Sequence, residues 1–329
     1  MKTAFIFALT ILMWASAFPV IRVILGDPQG FDPFTLATTR YCIAALVLLV
    51  IGPLCGVRRP ALRDLPMLML AGFFGVSAYN VLLNAGQKTV EPGAASFLVN
   101  TIPMMTTLLA VLFLGDRLKR WGWFGMALSL CGIALISIGQ GKGMGVSAGA
   151  ILILLAALSW SCCTILQKPL LLRYRPLEVV CYGIWSGAAL LALCMIPLIF
   201  FHESAAPLHR LHELLGLRAY ATISRKSWLL ITYLGFFPAA LAYIFWGRIL
   251  SVMSAARASS FLYITPVAAT IMSYVFLDEV LNPLSMLGGI IALTGVIIVN
   301  TLGRVKKVEP RIHAFETTST LTSTALPRL

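Results

Sequence analysis

Gly72-Phe73-Phe74 recurs as Gly235-Phe236-Phe237, Pro103 as Pro266, and Phe113-Leu114 as Phe276-Leu277. Working outward, Leu118, Gly125, Leu130 and Gly132 return as Leu281, Gly288, Leu293 and Gly295, all at one offset of 163 residues (235 − 72, 295 − 132). Further upstream, Trp14 and Arg22 match Trp160 and Lys168 at an offset of 146 (160 − 14). The halves are copies, and the second carries 17 extra residues (163 − 146) before its last three segments. In an apolar chain, a duplicated unit is the trace of a transporter whose substrate site lies where the repeats meet.

The composition agrees with a membrane setting. The 329 residues are 59% hydrophobic and 11% charged, with a mean hydropathy of +0.92, whereas soluble domains carry about 25% charged residues. A bilayer-spanning helix needs about 20 apolar residues. Runs of that kind lie near 4–25, 33–54, 65–87, 92–114, 120–139, 147–167, 177–201, 227–248, 256–277 and 284–302. The fold class expected is therefore an all-α polytopic membrane protein with ten transmembrane helices. Asp32-Pro33 and Asn282-Pro283 place a capping oxygen before a proline at the first helical position. Glu91-Pro92, and Pro176 with Glu178, place negative charge where the helix dipole favours it.

The net charge of +13 does not indicate nucleic acid, because its distribution follows the loops. The N-terminus, the 55–64, 115–120 and 168–176 loops, the Arg248/Arg257 turn and the C-terminal tail hold 17 of the Lys and Arg residues, and the alternate loops hold 6. The positive-inside rule then puts both termini in the cytoplasm, as an even helix count requires. Five helices per copy is odd, so the second copy enters the membrane inverted. The loop after the fourth helix (Asp116, Arg117, Lys119, Arg120) is basic, and its counterpart after the ninth (Asp278, Glu279, Asn282) carries no positive charge. The expected domains are a first five-helix repeat at 1–140, a second at 145–303 with a long outer loop at 202–226, and a disordered cytoplasmic tail at 304–329.

Several signals are set aside. Lys2, an apolar run and Ala15-Ser16-Ala17 resemble a cleavable leader, but cleavage would remove Trp14 and leave its mate Trp160, so the first helix is expected to stay. His202, His209 and His212 in the outer loop lack any metal-binding spacing. The seven cysteines sit in or beside apolar runs without a CxxC pair and read as small core hydrophobes. No Walker A, G-x-S-x-G or zinc motif is present, so no enzyme, cofactor or metal is expected.

Ionisable groups inside a membrane are functional candidates, since burial there costs about 2.5–3.5 kcal/mol. Arg40 lies two turns into the second helix, while Arg22 and Lys168 lie near helix ends and could anchor at headgroups. Asn80, Asn84 and Gln87 share one face of the third helix at i, i+4, i+7 spacing. With Trp14, Asn100, Trp160, Tyr182, Trp185, Tyr243, Trp246 and Tyr263, they form the candidate substrate-binding set, a polar face flanked by aromatics that suits a small zwitterionic solute. The competing reading for each polar member is interhelical hydrogen bonding. Gly125-x-x-x-Ser129 and Gly288-x-x-x-Ala292 permit close helix approach. They assign the fifth and tenth helices to scaffold or to a homodimer contact.

Trp14-Ala15-Ser16-Ala17-Phe18-Pro19-Val20-Ile21-Arg22 resembles the first-helix signature of the EamA family, in the drug/metabolite transporter superfamily. Arg40-Tyr41 with Ala44-Ala45 resembles its second-helix motif, and Ala94-Ala95-Ser96 through Pro103 to Phe113-Leu114-Gly115-Asp116-Arg117-Leu118 its fourth. A weaker second copy runs through Ala258-Ser259-Ser260, Pro266 and Asp278-Glu279, and the likeness spans about residues 4–302. The resemblance implies a bacterial inner-membrane carrier, often an exporter of amino acids or related metabolites, working by alternating access. It also implies a central path lined by helices one to four and six to nine. Asp116 in place of the usual Glu, Arg22 in place of Lys and the long 202–226 loop bear on substrate identity. Uptake of a nucleotide-like or cofactor-like metabolite stands as the alternative, and a membrane-embedded enzyme as the reading from another class.

Overall fold

The computed structural model describes residues 2–114, 119–139, 147–200, 223–252, 264–280 and 282–303. The expected tail from 304 and all but the end of the 202–226 loop lie outside them, as does Tyr263. All regular structure among the described residues is helical: α1 (Lys2–Gly26), α2 (Pro33–Leu54), α3 (Leu65–Gly72), α4 (Tyr79–Gln87), α5 (Pro92–Val99), α6 (Ile102–Leu114), α7 (Arg120–Gly139), α8 (Ala148–Leu171), α9 (Pro176–Phe200), α10 (Arg225–Leu234), α11 (Ala242–Val252), α12 (Thr265–Leu277) and α13 (Pro283–Ile298). Among the described residues, seven segments are long and apolar enough to cross a bilayer. Wide outward-facing aliphatic and aromatic surfaces, such as Trp121, Trp123 and Phe124 on α7 or Ile271, Val275 and Phe276 on α12, suit hydrocarbon and not water.

The caps form much as the sequence implies. Asp32 accepts from Phe34 N (3.0 Å) and Thr35 N (3.3 Å), and Asn282 from Leu284 N (2.9 Å). Glu91 precedes α5 without making a side-chain cap. The serines Ser147 and Ser224 close the starts of α8 and α10 at 3.1 Å each. Asp27, between α1 and α2, accepts from the Ser224 (2.5 Å) and Ser227 (2.9 Å) hydroxyls, which clasps this loop to the start of α10. The Ser224 hydroxyl bond is the main reason the Asp27 carboxyl is held below its ordinary value.

Two expected helices differ in detail. The run 92–114 is interrupted between Val99 and Ile102, because Pro103 has no N–H to return to the Val99 carbonyl. The run 65–87 keeps its length but passes through a π-helical stretch, Phe73–Ala78, between α3 and α4. A second π-helical stretch, Gly235–Leu241, joins α10 to α11. It contains Pro238, whose missing donor a wider turn accommodates. Shifted by 163 residues, the first stretch falls on the second.

Packing follows the same shift. A Cβ on Gly125 would meet the Gly295 carbonyl at 2.6 Å, and a Cβ on Gly288 would meet the Gly132 carbonyl at 2.7 Å. These glycines let α7 and α13 approach to backbone contact. Ser129 seals the contact by donating to the Ala292 carbonyl at 3.0 Å, and Ser285 donates to Ile136 O at 3.2 Å. The small-residue faces of α7 and α13 are thus spent on each other within one chain, so any homodimer would have to use their other sides.

Candidate functional site

Helices α1, α2, α4, α8 and α11 bring one group of side chains together in the middle of the molecule. Trp14 meets Trp246 at 5.3 Å between ring centroids and Tyr243 edge-on at 5.9 Å. Tyr243 also meets Trp160 at 5.7 Å, and Trp160 meets Tyr79 at 5.0 Å. Tyr41 stands edge-on to Tyr243, with their hydroxyl oxygens 3.2 Å apart. Trp14 is anchored by its indole N–H, which donates to the Pro238 carbonyl at 3.1 Å. That carbonyl lies in the second π-helical stretch. In the first, the Phe74 carbonyl accepts from Ser159 on α8 at 2.7 Å. A π turn frees backbone carbonyls from the regular ladder, and here both are used to hold the helices that carry Trp14 and Trp160.

Arg40 is the charge in this group. It is 4% exposed, and its guanidinium lies 5.4 Å from the Tyr41 ring centroid. Its Nε has no hydrogen-bond partner among the described residues. The Arg40 backbone is pinned, because Gly235 comes so close that a Cβ there would meet Arg40 O at 2.9 Å. A buried guanidinium facing aromatic rings without a carboxylate can receive an anionic group, and its planar fork favours a carboxylate.

The other candidates are placed differently. Asn84 donates to Pro33 O on α2 at 3.1 Å, Gln87 to Phe18 O on α1 at 3.4 Å, and Asn80 to Val76 O on its own segment at 2.8 Å. All three are buried, and their amide oxygens have no partner among the described residues. Asn100 bonds to Ser96 O at the break after α5. Tyr182 and Trp185 pair edge-on with each other at 5.1 Å, away from the central rings. Tyr182 donates to Arg58 O in the 55–64 loop and Trp185 to Ala45 O on α2. The structure therefore joins Trp14, Arg40, Trp160, Tyr243 and Trp246, and adds Tyr41 and Tyr79. Tyr41 was visible in the sequence as the neighbour of Arg40.

Arg22 pairs with Glu279 at 3.2 Å and donates to the carbonyls of Gln87 (3.3 Å) and Lys88 (3.1 Å). At the other end of the bundle, Arg173 pairs with Asp64 at 2.7 Å and Arg175 with Glu178 at 3.0 Å, tying the 55–64 loop to the turn between α8 and α9.

Comparison with known proteins agrees with this architecture. The model of the EamA-like transporter family matches residues 1–138 and again 147–301, and the chain belongs to that family. It is 36% identical over 305 residues to a probable terminal-alkyne amino-acid exporter of Streptantibioticus cattleyicolor, covering 92% of this chain and 95% of that protein. It is 26% identical over 303 residues to a probable amino-acid metabolite efflux pump of Salmonella typhimurium, covering 90% and 94%. A solved crystal structure shares the fold at 20% identity with a TM-score of 0.60, covering 92% of this chain and 96% of the other. The protein is a multi-pass membrane transporter.

Proposed function

We propose that this transporter exports amino acids or amino-acid derivatives by alternating access, with Arg40 receiving the substrate carboxylate. The observation that carries the reading is the buried guanidinium, unpaired at Nε among the described residues, within a group of aromatic rings drawn from five helices. Once the carboxylate is on Arg40, the ammonium of an amino acid can lie against the faces of Tyr79, Trp160 or Tyr243, where cation–π attraction is worth about 0.5–2 kcal/mol. The side chain then contacts Trp14 and Trp246, which favours an apolar tail. The similarity to two proteins named for amino-acid and amino-acid-metabolite export supports this choice of solute.

The proposed frame is ten helices in two inverted repeats, at 1–140 and 145–303, in a bacterial inner membrane with both termini cytoplasmic. Support comes from the doubled family match, from the π-helical stretches at matching positions, and from the reciprocal contacts Gly125–Gly295 and Gly288–Gly132. In this frame the central rings close the path, and rocking of the halves parts them toward one side at a time. Asn84 and Gln87 then hold the third segment to its neighbours. The test is solute uptake by proteoliposomes, screened across amino acids with and without a pH gradient. Saturable transport of apolar amino acids that Arg40→Lys abolishes is the expected result, and transport indifferent to that change would overturn the reading. A cytoplasm-specific reporter placed in the 202–226 loop should stay silent, and a strong signal would overturn the topology.

A further inference from the structure

Two polar clasps cross between the halves of the chain, at opposite ends of α2. At one end the Asp27 carboxylate, in the loop after α1, accepts from the Ser224 and Ser227 hydroxyls at 2.5 and 2.9 Å. The Ser224 N–H also donates to Gln29 O at 2.8 Å. At the other end the buried Asp64 carboxylate accepts from Arg173 at 2.7 Å and from the Tyr174 hydroxyl at 2.8 Å, both in the loop after α8. The Ala61 N–H donates to the same Tyr174 oxygen at 2.9 Å. The positions correspond. Ser227 is the equivalent of Asp64, and Ser224 of Ala61, at the offset of 163 (227 − 64, 224 − 61). The loops they hold begin at Gly26 and at its equivalent Leu172, at the offset of 146 (172 − 26). In each copy, then, the start of the third segment grips the loop that follows the first helix of the other copy. Beyond each clasp that segment runs through its π-helical stretch to a central ring: from α3 through Phe73–Ala78 to Tyr79, and from α10 through Gly235–Leu241 to Tyr243.

We propose that the two clasps are the end closures of the transport path, each fastened while the path is shut at its end and released in turn as the halves rock. The proposal rests on the inverted-repeat, alternating-access frame above, in which equivalent positions face opposite sides of the membrane. The chemistry suits a closure. Hydrogen bonds weaken steeply with separation, and at a bundle end water takes up the released groups, so the net cost of opening is modest. The α7–α13 seam, packed backbone to backbone, has no such exchange partner and stays joined. The two clasps also differ in kind. Asp64 holds a guanidinium and a phenol, whereas Asp27 holds only hydroxyls and a loop. Both are fastened here, so the structure is the state shut at both ends, and the third segments carry each release inward to Tyr79 or Tyr243.

The test reads distances on the full-length chain in nanodiscs, without any solute, by double electron–electron resonance. Spin labels carried on p-acetylphenylalanine leave the native free cysteines untouched. A pair at Gly26 and Thr232 reads the Asp27 end, and the equivalent pair at Leu172 and Met69 reads the Asp64 end (172 − 26, 232 − 69). All four positions are exposed and lie on or beside helices, so a merely frayed loop leaves them in place. Asp27→Ala should raise the share of a second, longer distance at the first pair about tenfold over wild type, the weight of one hydrogen bond to a charged group. The second pair should stay short. Asp64→Ala should do the reverse. Asp27→Asn and Asp64→Asn keep an acceptor without the charge and should fall between; they decide by the same readings if an alanine variant fails to fold. The proposal is overturned if each distance stays single and short once its clasp is removed, which makes the clasps braces, or if both pairs lengthen together, which marks general loosening. Because no solute enters the measurement, its failure leaves the export proposal standing, and a failure of solute flux leaves these distances to be read.

Discussion

Arg40→Met offers the sharpest separation of a binding role from a structural one. The residue is 4% exposed, and among the described residues its Nε lacks a partner and its charge an ion pair, a cost that the resting protein bears. An arginine at membrane depth costs about 2.5–3.5 kcal/mol on the insertion scale. Stacking over Tyr41 at 5.4 Å returns about 0.5–2 kcal/mol. Methionine fills a similar volume without the charge, so the variant should be more stable than wild type by about 0.5–3 kcal/mol. At about 2–4 °C per kcal/mol, that is a rise in melting temperature of roughly 1–12 °C. Transport should vanish at the same time. A solute carboxylate at 100 times its Kd should raise the wild-type melting temperature through about 2.7 kcal/mol of linkage, and should leave Arg40→Met unmoved. Differential scanning fluorimetry with and without solute, beside proteoliposome flux, makes both readings. If Arg40→Met melts lower than wild type and keeps its flux, the guanidinium is a structural strut and the reasoning fails.

Other outcomes follow from the packing. Gly132→Leu should lower stability by about 1–3 kcal/mol by overpacking the α7–α13 contact, since even a Cβ there would meet Gly288 O at 2.5 Å; Gly183→Ala, with open space around it, should be neutral or mildly stabilising in the same melting assay. Asn84→Leu strips the Pro33 carbonyl of its partner and should cost about 0.6–1.7 kcal/mol without changing solute preference in a competition assay. Asp27, its carboxyl held below 3.8, should keep its clasp on Ser224 and Ser227 as long as it is ionised. Asp27→Asn should therefore melt below wild type at neutral pH, and the gap should close as pH falls well below 3.8, which melting curves carried from pH 7 down to about 2 would read.

The positions of the helices were legible because length, apolarity and caps are local properties. Asp32-Pro33 and Asn282-Pro283 mark starts that the structure keeps. The break before Pro103 follows from a missing N–H, yet hydropathy runs straight across it. Neither π-helical stretch could be read ahead, since Gly72-Phe73-Phe74 and its copy are as apolar as any α-helical turn. Site residues were harder, because residue type alone does not say which way a helix faces. Tyr182 and Trp185 look like Trp14 and Trp160 in composition, but their helix turns them toward Arg58 and Ala45. Of the Asn80/Asn84/Gln87 face, Asn84 and Gln87 donate to the backbone of α2 and α1 while Asn80 donates to Val76 O on its own segment, partners that spacing alone does not reveal. The Arg22–Glu279 pair joins residues 257 positions apart, a distance no local pattern spans.

The seam between α7 and α13 has a meaning beyond stability. Its contacts are reciprocal: what Gly125 gives to Gly295, Gly288 gives to Gly132. A surface complementary to its own copy is what a two-fold dimer requires. On the repeat reading, each five-helix half therefore carries its own docking face, and the covalent link between the halves supplies proximity, not recognition. An ancestor encoded as a single half-length chain could have assembled through this same seam. On that reading, fusion would free the two copies to diverge, so that Arg22 stands in one half while Lys168, its counterpart at the offset of 146 (168 − 22), stands in the other.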